Sequence, residues 1–416
     1  AVAVLFATDS GASHADGISA RAGFGLMLRQ QWSITLALAP LTLLLFQQVS
    51  VVGLLANLLA IPWVTLVVTP LCLLGVLVPP LWQVAAQAIA ALGWVLQVLA
   101  LWPFATISVA ATALWMGASG ILGAVLLVLR LPWTWRVLGV PLLLPVLLWQ
   151  TPRPPVGHFG LLAADIGQGN AVVVRTAGHT LVYDTGPRFG LDSDAGQRVL
   201  VPLLRALGER VDMVVVSHRD SDHSGGAASV LATQPQARLL SSMEQGHPLQ
   251  AVRAAQRCAA GQSWRWDGVQ FEVLHPQATD YDNVQKPNAL SCVLRISNGI
   301  YTALLVADIE QPQEAALVAR QVPLRADVLL VPHHGSKTSS SPAFLDAVQP
   351  RFALVQAGYR NRFGHPAPPV LERYQARGIP VVDSSRCGAA TWQSMAPAQV
   401  HCERQADPRY WQHHPR

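Results

Sequence analysis

The stretch VVVSHRDSDHSGG, residues 214–226, is an apolar run that ends abruptly in two histidines, two aspartates and a glycine pair. Consecutive β-branched residues read as a buried strand. Neither solubility nor helix capping asks for His218, Asp220, Asp222 and His223 in that order. Any one Asp or His after a strand is ordinarily a turn former or a cap. Here four metal-competent side chains fall within six residues, and imidazole plus carboxylate at that density suits a divalent cation, with two cations able to share the set.

Other runs end in the same way. FGLLAADIGQGNAVVVRT (159–176) reads as strand, Gly turn, strand, and HTLVYDTG (179–186) as a strand ending at Asp184. YTALLVADIE (301–310) ends at Asp308, ADVLLVPHHGS (326–336) at His333 and His334, and RFALVQAGYRNRFGHP (351–366) leads to His365. Reactive groups on loops held by a sheet are where catalytic side chains usually sit. Asp308 is expected to supply a bridging carboxylate and His334 a further imidazole.

Charge divides the chain in two. Residues 1–150 hold only Asp9, Asp16, Arg21, Arg29, Arg130 and Arg136 of the 53 charged side chains; the other 47 lie in 151–416. This predicts a membrane part (1–150), a Pro-rich linker TPRPPVGH (151–158), a globular part (159–400) and a C-terminal tail (401–416). Residues 151–416 carry 25 basic and 22 acidic residues, which excludes a strongly basic nucleic-acid binder. The chain starts without Met and shows no signal-peptide grammar, so the expectation is the C-terminal part of a longer membrane protein. Five cysteines show neither CxxC nor zinc-ribbon spacing; Cys387 and Cys402 either pair in an oxidising compartment or remain thiols.

Apolar stretches fall at 32–48, 60–79, 83–101, 107–129 and 137–149, the middle three long enough to cross a bilayer. The first and last are short or interrupted by Pro40, Pro141 and Pro145. If all five cross, Arg21, Arg29, Arg130 and Arg136 share one side, which the positive-inside rule makes cytoplasmic, and the globular part lies in the periplasm. A different count inverts that orientation. Within QQVSVVGLLANLLAIPWVTLVVTP (47–70), Gln47, Gln48 and Asn57 are groups that hydrocarbon penalises. They read equally as pore-lining or as a polar seam between packed helices.

The motif His-x-Asp-x-Asp-His-x-Gly-Gly resembles the metallo-β-lactamase signature His-x-His-x-Asp-His, with Asp220 in place of its second His. DIGQGNAVVVRT, LVYDTGPR, SHRDSDHSGG, VPHHGSKTSSS and YRNRFGHP, in that order, resemble the C-terminal domain of ComEC-type competence proteins, the DNA-internalisation channels of natural transformation. APLTLLLFQQVSVVGLLANLLAIPWVTLVVTPLCLLG is similar to the end of that family's membrane domain, so the resemblance runs from about residue 20 to 380. It implies a polytopic α-helical membrane domain followed by an α/β metallo-β-lactamase-like αββα sandwich. By resemblance the metal ligands are His218, Asp220, Asp222, His223, Asp308 and His334, or His333 in place of His334, with Asp222 and Asp308 also catalytic. Ala307 stands where Gly commonly precedes the bridging Asp. The superfamily's intermediate His has no counterpart; Asn288 and Ser291 occupy that region. Asn170 stands where Asp is frequent, so Asp165 and Asp184 are supporting groups, with His365.

A site richer in carboxylate than in imidazole leans from Zn²⁺ toward a pair of Mn²⁺ or Mg²⁺ ions. The expected function is an inner-membrane DNA uptake channel with a metal-dependent nuclease that degrades the strand not transported. Arg188, Lys337, Arg360 and Arg362 are candidates to hold phosphates. DNA, the membrane, a competence DNA receptor and a cytoplasmic DNA-translocation protein are the partners that the resemblance implies. A channel with an inactive hydrolase domain is the second reading, and a membrane-tethered metallo-β-lactamase the third. Asp220 and the membrane half argue against the third.

Overall fold

Alternation along the 213–216 strand sets the layering. In the computed structural model Met213 and Val215 point into one hydrophobic core, while Val214 and Val216 point into another on the opposite face. A strand buried on both faces has no polar positions to spare, which is why its sequence is a continuous apolar run rather than an alternating one. The structure describes residues 20–102, 104–129, 131–282, 286–410 and 412, with the backbone alone for 20–27. It divides into two compact units, Ala1–Thr151 with Arg205–Gly208, and Pro152–Leu204 with Glu209–Arg416.

The second unit holds two mixed sheets. The eight-stranded sheet runs in the order Ala255–Arg257, Arg238–Ser241, Met213–Val216, Thr180–Tyr183, Val172–Arg175, Gly160–Ala163, Ala390–Gln393, Val400–Cys402. Its first four strands are mutually parallel and the rest antiparallel. The seven-stranded sheet runs Ser263–Trp266, Val269–His275, Val293–Ser297, Thr302–Leu305, Val328–Leu330, Phe352–Val355, Val381–Asp383, parallel from Thr302–Leu305 onward. Phe159, Tyr183, Phe271, Leu294 and Trp392 fill the core shared by the two sheets. Leu200, Leu204, Val230 and Leu231 cover the outer face of one sheet; Leu317, Phe344, Leu345 and Tyr374 cover that of the other. Helix, sheet, sheet and helix are thus stacked as the αββα sandwich that was expected. The Val400–Cys402 strand runs past residue 400, so the expected tail begins inside the sheet. Disulfides join Cys387 to Cys402 and Cys258 to Cys292; the second pair has no spacing signal in the sequence.

The first unit is helical: Ala20–Phe46, a run of 22 residues over Gly53–Leu74, Leu81–Ala100, Leu114–Val128, Trp133–Val137 and Gly139–Leu148. Among the described residues, Gly53–Leu74 and Leu81–Ala100 are long and apolar enough to cross a membrane. The 107–129 stretch, expected as a third such span, yields a helix only from Leu114. Thr106–Ser108 instead pairs antiparallel with Gln48–Ser50, and hydropathy cannot tell an apolar ribbon from an apolar helix. Conversely, the interrupted first stretch belongs to a 27-residue helix that runs through Pro40. Gly123 on Leu114–Val128 meets the backbone of Gly139 so closely that a Cβ would lie 2.5 Å from its carbonyl, the small-residue packing of membrane helices. Asp9, Asp16 and Arg130 lie outside the described residues, as does the Arg21 side chain.

Trp392, packed between the sheets against Phe159 and Tyr301, is the largest fully buried side chain in that core. Trp392→Ala is expected to lower the unfolding free energy of the second unit by about 3–5 kcal/mol, read from the urea midpoint.

Candidate metal centre

Reactive groups converge because parallel strands end on the same side. Tyr183 leads to Asp184, Val216 to the 217–223 loop, Leu305 to Asp308, Leu330 to the histidine pair and Val355 to Gln356. Ligands of α/β sheets gather outside the carboxyl ends of the strands for this reason. One ligand atom from each of Asp222, His223, Asp308 and His334 lies within 4.8 Å of the others. His223 Nε2 is 3.2 Å from Asp308 Oδ1, and His334 Nε2 is 3.4 Å from both Asp308 Oδ1 and Asp222 Oδ2.

Each imidazole is oriented from behind. Asp184, buried and at φ 56°, accepts from Ser217 N (2.7 Å) and Ser217 Oγ (2.9 Å), and lies 2.8 Å from His223 Nδ1. That places the donor on Nδ1 and leaves Nε2 facing the cluster. His334 Nδ1 is held at 2.9 Å by the carbonyl of Gln356. The Gln356 amide in turn donates to Ala164 O and Ala171 O and accepts from Ala171 N, tying the two sheets together beneath the site. Ser291 Oγ accepts from Asp308 N and sits 3.4 Å from His218 Nδ1. Ala307, His333 and His334 all have left-handed backbone angles (φ 45°, 49° and 54°). At Ala307 that conformation is where Gly would be unstrained, so the Ala carries a cost of roughly 1 kcal/mol.

Gly225 and Gly226 let backbone segments approach closely. A Cβ on Gly225 would meet Arg188 N at 2.3 Å, and one on Gly226 would meet Gly196 N at the same distance. The glycine facing the cluster is Gly169 (φ 125°), whose Cβ would lie 2.2 Å from Asp222 O. Asn170 N donates to that carbonyl, and both amide atoms of the buried Asn170 lack a partner among the described residues.

The remaining sequence candidates fall into four groups. His218 is buried next to His223, with ring centroids 4.2 Å apart, and its Nε2 lies 3.6 Å from Asp220 Oδ2. The Asp220 side chain is 43% exposed and stands outside the four-group cluster. His333, Asn288 and His365 flank it: His333 Nε2 is 3.7 Å from Asp308 Oδ2 and 3.4 Å from Asn288 Nδ2, and the His365 ring packs on His333 and His334. Asp165 is turned away, paired with Arg404 at 2.5 Å. Arg188 donates to carbonyls of its own loop, Arg360 and Arg362 lie over Tyr359 and Phe363, and Lys337 is exposed beside the histidine pair. Ser217 and Gln356 were not singled out in the sequence. Nothing local marks them, since their roles come from partners 33 and 185 residues away.

Charge explains what the cluster holds. Burial opposes ionisation of Asp308, yet His223 and His334 outweigh it and keep its carboxyl well below the usual range. Burial likewise opposes charge on His334, but Asp308 and Asp222 push its pKa up to about 9; His223 is also driven well above the imidazole range by Asp308 and Asp184. Asp222 is held at about 2, burial again being overcome by His334 and His223. His365 moves the opposite way, to about 4, through burial and the nearby His333 and His334. The donor set also passes a direct test of fit for a cation. His223 Nε2, His334 Nε2, Asp308 Oδ1 and His218 Nε2 are all buried with no hydrogen-bond partner among the described residues. Unmade bonds on buried polar atoms are costly, and a divalent cation satisfies them together.

Comparison with known proteins places these features in two families. Residues 1–134 match the Competence protein family and residues 164–358 the metallo-beta-lactamase superfamily. The chain is 35% identical over 370 residues to competence protein ComA of Neisseria gonorrhoeae, covering 87% of this chain and 51% of that protein. It is 33% identical over 380 residues to the uncharacterized protein YcaI of Escherichia coli (88% and 48%) and 30% identical over 382 residues to recombination protein 2 of Haemophilus influenzae (82% and 47%). The chain therefore spans about half the length of the curated relatives it matches. Among solved structures, the metallo-beta-lactamase fold protein YhfI of Bacillus subtilis aligns with a TM-score of 0.39 at 14% identity, over 57% of this chain and 99% of that one.

Two outcomes follow from the geometry. Asp184→Asn, which touches His223 from behind, is expected to weaken cation binding about 10–100-fold by titration calorimetry. In chelated protein the raised imidazoles stabilise fully below about pH 6.5 and lose that contribution as pH rises through about 9. The urea midpoint of chelated wild type should therefore fall over that window, and that of Asp308→Asn should fall less.

Proposed function

We propose, from the chain's membership of the ComEC-type competence proteins, that it serves DNA uptake as a multi-pass inner-membrane protein with a metal-dependent phosphodiesterase domain. On this reading residues 1–150 are the membrane part through which a single strand passes, and the domain after the 151–158 linker degrades the other strand. The observation that carries the reading is the buried convergence of Asp222, His223, Asp308 and His334 in a chain that also bears exposed apolar helices. The disulfides Cys258–Cys292 and Cys387–Cys402 suit an oxidising compartment and so favour a periplasmic hydrolase domain.

The residues divide the work. Asp222, His223, Asp308 and His334 would hold one cation, and His218 with Asp220 would extend the set to a second, with Mn²⁺ or Mg²⁺ favoured over Zn²⁺. Divalent cations bound there would supply Lewis acidity and neutralise charge at a phosphodiester. Asp184, Ser217 and Gln356 keep the imidazole nitrogens aimed inward. His365, neutral above about pH 4, can accept a proton at the rim. Arg188, Lys337, Arg360 and Arg362 would position phosphates. In the membrane part, Gln48 and Asn57 line a cavity of about 290 Å³, the favoured place for a polar path, with Gln47 adjoining it.

A second reading, a channel with an inactive hydrolase domain, draws on Asn288 and Ser291 at the place of the intermediate His and on the exposed Asp220. Incubating the purified chain and Asp222→Ala with linear DNA and each of Mn²⁺, Mg²⁺ and Zn²⁺ separates the two. Cleavage is expected to fall more than about 100-fold in the variant. Equal cutting by both removes the first reading, and no cutting by either alongside normal DNA uptake by Asp222→Ala cells selects the second.

A further inference from the structure

We propose that the globular unit carries a second phosphate-binding site, an arginine-lined pocket that holds the backbone of a single nucleic acid strand remote from the metal centre. The pocket has a volume of about 650 Å³ and is lined by Arg295, Arg325 and Arg351 together with Tyr301, Thr302 and Asp327. It opens where the parallel strands Thr302–Leu305, Val328–Leu330 and Phe352–Val355 begin, whereas Asp308 and His334 follow the ends of two of those strands. At 3.3 Å per residue the 302–308 segment spans at most roughly 20 Å.

The charge at this site is not locally spent. Three guanidiniums line the pocket against the single carboxylate of Asp327. One oxygen of Asp327 accepts from Thr302 N at 2.8 Å, and the other lies 3.5 Å from Arg351 Nε, so this carboxylate is engaged in fixing the strand start. Arg351 remains 60% exposed, and Arg325 is exposed with no ion-pair partner among the described residues. Arg295 reaches Glu272 only at 3.9 Å, and its buried Nε has no hydrogen-bond partner among the described residues. A buried guanidinium N–H without an acceptor is costly, and a phosphate oxygen is the acceptor that a planar fork of donors fits best.

Concavity selects the ligand. A half-open pocket of this volume has room for a group of nucleotide size, whereas a lipid headgroup layer meets proteins as an extended plane. A strand held here and cleaved at the far ends of the same strands would be gripped at two separated points. The proposal rests on the DNA-handling reading, and its test is run without cleavage so that the two fail separately.

The full chain in detergent, with EDTA, is titrated against fluorescein-labelled oligo-dT over a KCl series by anisotropy. Arg325→Gln/Arg351→Gln is expected to bind about 10-fold more weakly, with a log–log salt slope shallower by about 1.4, since each lost phosphate contact removes about 0.7. Arg325→Lys/Arg351→Lys, which keeps the charge, should retain the slope. Hydrolysis of bis-p-nitrophenyl phosphate should match wild type, and the binding difference should persist even if no variant cuts DNA. Unchanged affinity and slope in the Gln variant overturn the proposal. So does a loss confined to phosphatidylglycerol vesicles with DNA binding intact, which would make the patch a lipid contact.

Discussion

The globular unit depends on one electrostatic constraint: a carboxylate, Asp308, buried among imidazoles at the ends of two sheets. An uncompensated ion in that position would cost several kcal/mol, so its neighbours must supply positive charge. In the protein alone, protons on His223 and His334 do so, and a divalent cation is the natural replacement because it neutralises the same carboxylates while freeing the imidazole lone pairs. Proton and cation thus compete for one set of atoms. The strain at Ala307, the paired left-handed histidines and the buried Asp184 all follow from bringing those atoms to a common point.

Supporting this constraint takes both sheets. Asp184 and the 217–223 loop belong to one, Asp308 and the histidine pair to the other, and Gln356 stitches them with hydrogen bonds to Ala164 and Ala171. The shared core around Trp392 therefore does more than stabilise. It fixes the spacing between half-sites that neither sheet could form by itself, and a shift of 1 Å between the sheets would spoil the ligand geometry.

The helical unit obeys a different rule. Its small residues let backbones approach closely: a Cβ on Gly123 would lie 2.5 Å from the carbonyl of Gly139. Its two long apolar helices leave nearly all their side chains exposed and are long and apolar enough to cross a membrane.

The sequence alone determined what local chemistry can determine. A continuous β-branched run meant a buried strand, and the density of imidazole and carboxylate over residues 218–223 pointed to a cation site. The scarcity of charge before residue 151 set the helical unit apart from the globular one. Tertiary structure decided the rest, because those facts depend on residues far apart in the chain. Hydropathy could not see that 106–108 pairs with 48–50, nor that the stretch interrupted by Pro40 is one helix. Nothing around Cys258 announces Cys292, and nothing around Gln356 announces His334 or Ala171. Asp165 reads as a supporting group by family resemblance, yet it pairs with Arg404, brought to it from 239 positions away. Residue type sets what a side chain can do; only the register of the two sheets sets which partners it meets.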